Sequence, residues 1–224
     1  MDARFAVQVP AGDPDALYKN REDLASAKQA ADIWAARLAA NPRDFDSAYR
    51  LAQARYWLGT NGLPPAERKP ALEAGIAAGR SAIAINPSRP EGHFWLAANM
   101  GALAESFGMR QGLKYRGAIK DALLTTLKLD PAFLDGSADR ALGRWYFKVP
   151  GLFGGSDKQS EVHLRKSLTY NPNSIISHIF LAETLADLGR KDEARKEAQA
   201  AIDAPIDPNW APEDRRFKEA AKRL

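Results

Sequence analysis

Apolar positions recur at three- and four-residue spacing along almost the whole chain. In "SHIFLAETLADLGRKDEARKEAQAAIDAP", Leu181, Ala182 and Leu185 form one stripe, and Ala194, Ala198 and Ala201 form another. This is the period of amphipathic helices, and the two-residue alternation of half-buried strands is nearly absent. The stripes are cut by regular punctuation. "NP" stands at 41–42, 86–87 and 171–172, and "DP" at 130–131 and 207–208. Pro42, Pro87, Pro131 and Pro172 follow one another at intervals of 45, 44 and 41 residues. Proline lacks a backbone N–H and stops a helix, so a period of this size predicts a repeated helical unit.

The clearest unit shows what repeats. Leu181-Ala182 is followed by Gly189, then by the alanine stripe of a second helix and by Pro205. Small residues let two helices cross closely, and Gly189 can take the left-handed conformation that ends the first helix. The unit resembles a tetratricopeptide repeat (TPR), a hairpin of helix A and helix B. The same frame places Leu51-Ala52 and Gly59, Leu96-Ala97, and Leu142-Gly143 at equivalent positions. The sequence therefore predicts an all-α, TPR-like helical-hairpin solenoid of about four units. A stray helix B precedes them at "REDLASAKQAADIWAARLAANP", and "APEDRRFKEAAKRL" caps them, with Pro212 in its first turn. The expected domain spans 14–224 after an N-terminal extension, 1–13. Long A–B connections are expected at 59–70, about 107–116 and 149–156, closing over one mouth of a groove.

In TPR-like stacking, helix A lines the concave face. The frame puts Tyr49, Gln53, Tyr56, Trp57 and Phe94 there upstream, and Arg140, Arg144, Phe147 and Lys148 in "ADRALGRWYFKVPGLFGG". Downstream the same face receives Ile179 and Glu183. Three cations at four-residue spacing repel one another on one helix face. Either internal carboxylates offset them, with Glu105, Asp135 and Asp139 as candidates, or an anionic ligand or partner does. Glu105 follows the apolar "MGALA" and is expected to be partly buried, with Arg116, Arg140 or Arg144 as its partner. "GGSDKQ" needs no ligand, because Ser156 and Gln159 have the form of a capping box.

Charge and composition narrow the chemistry. The net charge is +4, but 32 basic and 28 acidic residues are interleaved, which argues against nucleic-acid binding. There is no cysteine, which excludes disulfides, thiolate metal sites and cysteine nucleophiles. No apolar run approaches a membrane span, and no phosphate loop, GxSxG or HExxH is present. His93, His163 and His178 are expected as core or half-buried packing residues, and the tryptophans as core, with Trp57 the exception facing the groove. No cofactor and no catalytic constellation is expected, so a binding role is favoured over an enzymatic one.

"EGHFWLAANMGALAESFG", "LKYRGAIK", "ADRALGRWYFKVPGLFGG" and "DPNWAPEDRRFKEAA" together resemble the TPR-containing T component of TRAP-type transporters. The chain is more weakly similar to the regulator of microtubule dynamics family. The first resemblance implies a helical periplasmic protein that forms homo-oligomers. It also implies a small hydrophobic or anionic ligand and a protein partner, a periplasmic solute-binding protein. Periplasmic placement requires a removed leader; otherwise the chain is expected in the cytoplasm. A generic TPR scaffold that captures an acidic peptide or a protein C-terminus is the competing expectation.

Overall fold

The computed structural model describes residues 10–223, and the expected extension at 1–13 lies outside them except for 10–13. Among the described residues there are eleven α-helices and no strand. They fall into two compact units, Met1–Ala122 and Leu123–Leu224.

The first unit holds α1 (Pro14–Lys19), α2 (Leu24–Ala40), α3 (Phe45–Trp57), α4 (Pro65–Ile85), α5 (Pro90–Ser106) and most of α6 (Met109–Leu129). Within it, α2 packs on α3, α3 on α4, and α4 on α5, while α3 also meets α5. This is the expected order: a lone helix B, then A–B hairpins. Asp23 and Asp44 start α2 and α3 by accepting N–H bonds from Ser26 (3.0 Å) and Ser47 (3.0 Å). Two of the long connections are corrected here. Helix resumes at Pro65 after one π turn, Leu58–Gly62, and at Met109 after only Phe107–Gly108. The sequence misleads at Pro70, which sits inside α4 near its start.

The second unit holds α7 (Phe133–Lys148), α8 (Asp157–Tyr170), α9 (Ile175–Asp187), α10 (Lys191–Asp203) and α11 (Ala211–Ala221). Here α7 pairs with α8 and α9 with α10, and α11 packs on both α9 and α10. Gly189 has φ 78°, the left-handed stop expected after α9. Ser156 caps α8 by accepting from Gln159 N at 3.3 Å. One irregularity is unannounced by the sequence. Leu134, Asp135 and Gly136 are all left-handed, with φ of 46°, 56° and 73°, so regular helix in α7 begins at Ser137. Left-handed backbone costs roughly 1–2 kcal/mol for each residue with a Cβ. The turn is held from both sides. Ser137 Oγ donates to Phe133 O at 2.9 Å, and Gly136 lies so close to Tyr170 that a Cβ would be 2.6 Å from its ring.

Small residues set the helix crossings. A Cβ on Gly79 of α4 would lie 2.9 Å from Leu96 Cα of α5, and one on Gly143 of α7 would lie 2.5 Å from Leu164 Cγ of α8. In the first unit Asn99, fully buried on α5, ties three helices together. Its Nδ2 donates to Ala52 O (2.9 Å) on α3 and to Trp95 O (2.8 Å), while its Oδ1 faces Gly75 on α4 with no hydrogen-bond donor. In the second unit Ile175, Ile179, Ala201, Ala204 and Ala221 form a core that Phe180, Ile202 and Phe217 flank.

Two outcomes follow from this packing. Gly143→Val should cost about 1–3 kcal/mol by overpacking the α7–α8 crossing. Calorimetry should then show a melting temperature lower by roughly 2–4 °C per kcal/mol; an unchanged melting temperature would contradict the crossing described. Deleting residues 205–224 should uncover Ile175 and Ile179, lower solubility and lower the melting temperature, because a terminal repeat needs a polar cap. Unchanged solubility and melting would show that α11 is dispensable.

Candidate functional site

The basic row of α7 lies on a helix whose other side is held by α8. Gly143 and Leu142 face α8 and the core, which turns Arg144 toward α9. There its Nη1 donates to Glu183 Oε2 in a half-buried ion pair. The guanidinium also lies over the Phe180 ring, 4.4 Å from its centre, with the Phe147 ring at 5.9 Å. Lys148 is exposed, and its ammonium lies 5.2 Å from the Phe147 ring centre. Arg140 is half-buried and acts electrostatically on Asp214 of α11. Burial raises the Asp214 carboxyl above the usual range, partly offset by the hydrogen bond it accepts from Asp207 N at 2.9 Å.

Arg144 is therefore compensated from inside by Glu183, which was not among the carboxylates expected for the row. Of those that were, Asp135 is exposed at the left-handed turn, Asp139 lies against His163, and Glu105 is exposed on α5. Glu183, which the repeat frame assigns to the same face as Arg144, does meet it. Ile179 does not: it is 4% exposed in the α11 core, and Phe180 takes its place beside Arg144.

The upstream aromatic set divides. Tyr49, Gln53 and Tyr56 are half-buried and share one stripe of α3. Tyr49 lies 5.4 Å from Phe45, and Tyr56 lies 5.8 Å from Trp95. Burial raises the Tyr49 phenol above its ordinary value. Trp57 and Phe94 are core residues instead, 6% and 8% exposed. Trp57 Nε1 donates to Arg21 O at 2.9 Å, and the Arg21 guanidinium stacks over its ring. Trp57 misleads because it sits three residues from Ala54 and one from Leu58, both fully buried, so it falls on the inner edge of the stripe. Arg116 is half-buried on α6, in the first unit with Glu105.

The histidines are structural, as expected, and more specific than packing alone. His163 Nδ1 lies 2.7 Å from Asp139 Oδ1, and its ring stacks on Tyr146 at 5.4 Å. His93 and His178 each sit six residues after a repeat proline and hydrogen-bond its carbonyl, at 2.9 and 2.8 Å. His178 also places Nδ1 2.6 Å from Glu197 Oε2. Both its ring nitrogens thus face acceptors, which only imidazolium satisfies. Among the described residues, no group of three or more histidine or acidic side chains could hold a metal. A cavity of about 410 Å³ at the α9–α10 turn is lined by Gly189, Arg190, Lys191, Asp192, Glu193 and Arg195. None of the expected site residues lines it, and its charges pair locally, Arg190 with Glu193 and Arg195 with Asp192.

A family model of the TRAP transporter T-component matches residues 91–223, and one of the regulator of microtubule dynamics proteins 1-3 matches residues 13–153. The chain belongs to both families. No curated protein matches its sequence. Among solved structures it is similar to TTC0263, a thermophilic TPR protein of Thermus thermophilus. The two share 21% identity over 94% of this chain and 98% of that one, with a TM-score of 0.68. It is also similar to MamA, at 14% identity over 96% and 100% of the two chains and a TM-score of 0.57. YrrB, described as a TPR protein with an unusual peptide-binding site, follows at 13% identity, 94% and 89% coverage and a TM-score of 0.53. These likenesses establish the TPR-like fold. No helix among the described residues of this T-component member is long and apolar enough to cross a membrane.

The His178 arrangement has a pH consequence for this T-component chain. Burial alone would depress the His178 pKa, but the hydrogen bonds to Glu197 and to the Pro172 carbonyl outweigh it and hold the value above the ordinary 6.5. A raised folded-state pKa stabilises fully below pH 6.5, and that stability is lost as pH rises through the folded-state value. Thermal melts of the wild type should therefore decline over that window, and His178→Gln should flatten the decline. Parallel declines in the two proteins would assign the effect to another group.

Proposed function

We propose that this chain is a non-enzymatic, TPR-like binding adaptor of a TRAP-type transport system. In this reading it works in the periplasm, beside a solute-binding protein. The carrying observation is Arg144, oriented by Glu183 and seated on the Phe180 ring, with exposed Lys148 on the next turn of α7. A guanidinium has five N–H donors in a fixed fork, so a carboxylate can join or replace Glu183 in the same plane. The Phe147 and Phe180 rings beside it suit an apolar tail. A small acid with an apolar tail, or an acidic and apolar patch on the solute-binding protein, meets both requirements.

A second reading rests on the Tyr49, Gln53 and Tyr56 stripe of α3 in the first unit. Two phenols and an amide on successive turns offer hydrogen bonds and apolar area together, as a groove for an acidic peptide or a protein C-terminus requires.

Native mass spectrometry of the purified protein would reveal a co-purified small molecule. Calorimetric titration would measure its binding and that of the TRAP solute-binding protein from the same source. Arg144→Ala should weaken binding by about 1.5–3 kcal/mol, the usual worth of a hydrogen bond to a charged group. Arg144→Lys should recover only part, since lysine lacks the planar fork. If both variants bind normally while Arg144→Ala melts earlier, Arg144 is a strut between α7 and α9. A loss confined to Gln53→Ala and Tyr56→Ala would move the site to the first unit.

A further inference from the structure

The connection between α7 and α8 exposes apolar side chains on a tip that is held in shape. Among the described residues, Leu152 is 89% exposed, and Phe153 beside it is 38% exposed. Both stand on a single 3-10 turn, Gly151–Phe153. Phe153 N donates to Pro150 O at 2.8 Å, and Gly155 N donates to the same carbonyl at 3.2 Å. Ser156 N closes the loop onto Tyr146 O at 2.9 Å. A Cβ on Gly155 would lie 1.6 Å from Val149 O, so the two ends of the loop are pressed together at its base.

Cations surround this tip. Lys148 precedes it and Lys158 follows it; both are exposed, and neither meets a carboxylate among the described residues. Val162, 59% exposed, and Lys166, also exposed, follow Lys158 at four-residue spacing, so one face of α8 repeats the pairing of apolar side chain and cation. The acids of this stretch are engaged. Glu161 accepts from Arg165 at 2.8 Å and from Arg190 at 2.7 Å, and Asp157 is half-buried against Asp187. Ile206 offers a contrast: it is 40% exposed on the α10–α11 connection, but its charged neighbours are Asp203 and Asp207.

We propose that the Pro150–Gly155 tip docks on an anionic lipid surface. Leu152 enters the boundary between headgroups and acyl chains, and Lys148 and Lys158 meet the lipid phosphates. A stable protein interface buries at least about 1,000 Å², which a protruding tip with two apolar side chains does not supply by itself. A bilayer sets no such threshold, because each apolar side chain and each cation adds its own increment. The bonded loop helps, since little entropy is lost when Leu152 is immobilised. The contact is shallow, reversible and sensitive to salt. It goes beyond the adaptor reading and stands whether or not Arg144 binds a ligand.

Flotation of the full chain tests it, with vesicles of equal parts phosphatidylglycerol and phosphatidylcholine and with vesicles of phosphatidylcholine alone. The wild type should float with the anionic vesicles, less so at high salt, and stay behind with the neutral ones. Leu152→Asp should lower partitioning roughly tenfold or more, the worth of burying one leucine. Lys148→Gln and Lys158→Gln should each lower it about fivefold. Helix content by circular dichroism should not change in any of them. The chain has no cysteine, so Leu152→Cys and Ile206→Cys each accept one environment-sensitive dye. Emission from the dye at 152 should shift to the blue on anionic vesicles, and emission from the dye at 206 should not. A wild type that never floats, a Leu152→Asp variant that floats as well as the wild type, or a dye at 152 that stays in water while the chain floats would each overturn the proposal. A chain that ignores vesicles but loses its complex with the TRAP solute-binding protein on Leu152→Asp would overturn it too, and assign the tip to a protein partner.

Discussion

Close approach of helix pairs through side chains of almost no size is the constraint behind everything else in both units. Where Gly79 meets Leu96 and Gly143 meets Leu164, there is no room even for a methyl group. Tight crossing fixes the rotation of each helix about its axis, and rotation decides which residues are core. Leu142 is fully buried because Gly143 brings α7 against α8, and Arg144 then points to α9. The fully buried Asn99 acts in the same way in the first unit. A side chain with one unmet acceptor costs about 1–3 kcal/mol in desolvation. It persists where its two donated bonds fix the register of α5 against α3.

How legible was this in the sequence? The hairpins were, because their signals are backbone chemistry: a proline that lacks an N–H, a glycine that adopts positive φ at 189, an Asp or Ser that caps. These act locally, and the observed caps at Asp23, Asp44 and Ser156 are of that kind. Helix starts next to prolines were less legible. Pro64 and Pro65 read as loop, although proline suits a helix's first turn.

The candidate site was legible by face and not by partner. The frame assigned Arg144 and Glu183 to one side, since helical phase within a repeat is set by sequence spacing. It could not pair them, because they are 39 residues apart and meet only through the packing of α7 against α9. Trp57 and Phe94 failed for a related reason. A helix that packs on two neighbours buries more than one stripe, and α3 contacts both α4 and α5. Aromatics at the edge of the frame were therefore drawn into core. The left-handed turn before α7 had no readable signal beyond Asp135-Gly136, and it depends on Tyr170 from the following helix.

The Arg144–Glu183 pair carries a final implication. Its side chains are 19% and 28% exposed, so both ions have lost much of their water. Taking charges from water costs several kcal/mol per ion in a true interior, and attraction repays this only with good geometry. An apolar pair of similar volume would hold α7 to α9 about as well. The ion pair is therefore a poor choice as mere cement between these two helices. What it does supply is a cation whose position is fixed before anything binds, backed by a ring at 4.4 Å. A carboxylate that displaced Glu183 would find that geometry already set, while Glu183, only partly buried, could return to water at modest cost. The asymmetry between a held arginine and a releasable glutamate suits exchange of one anion for another.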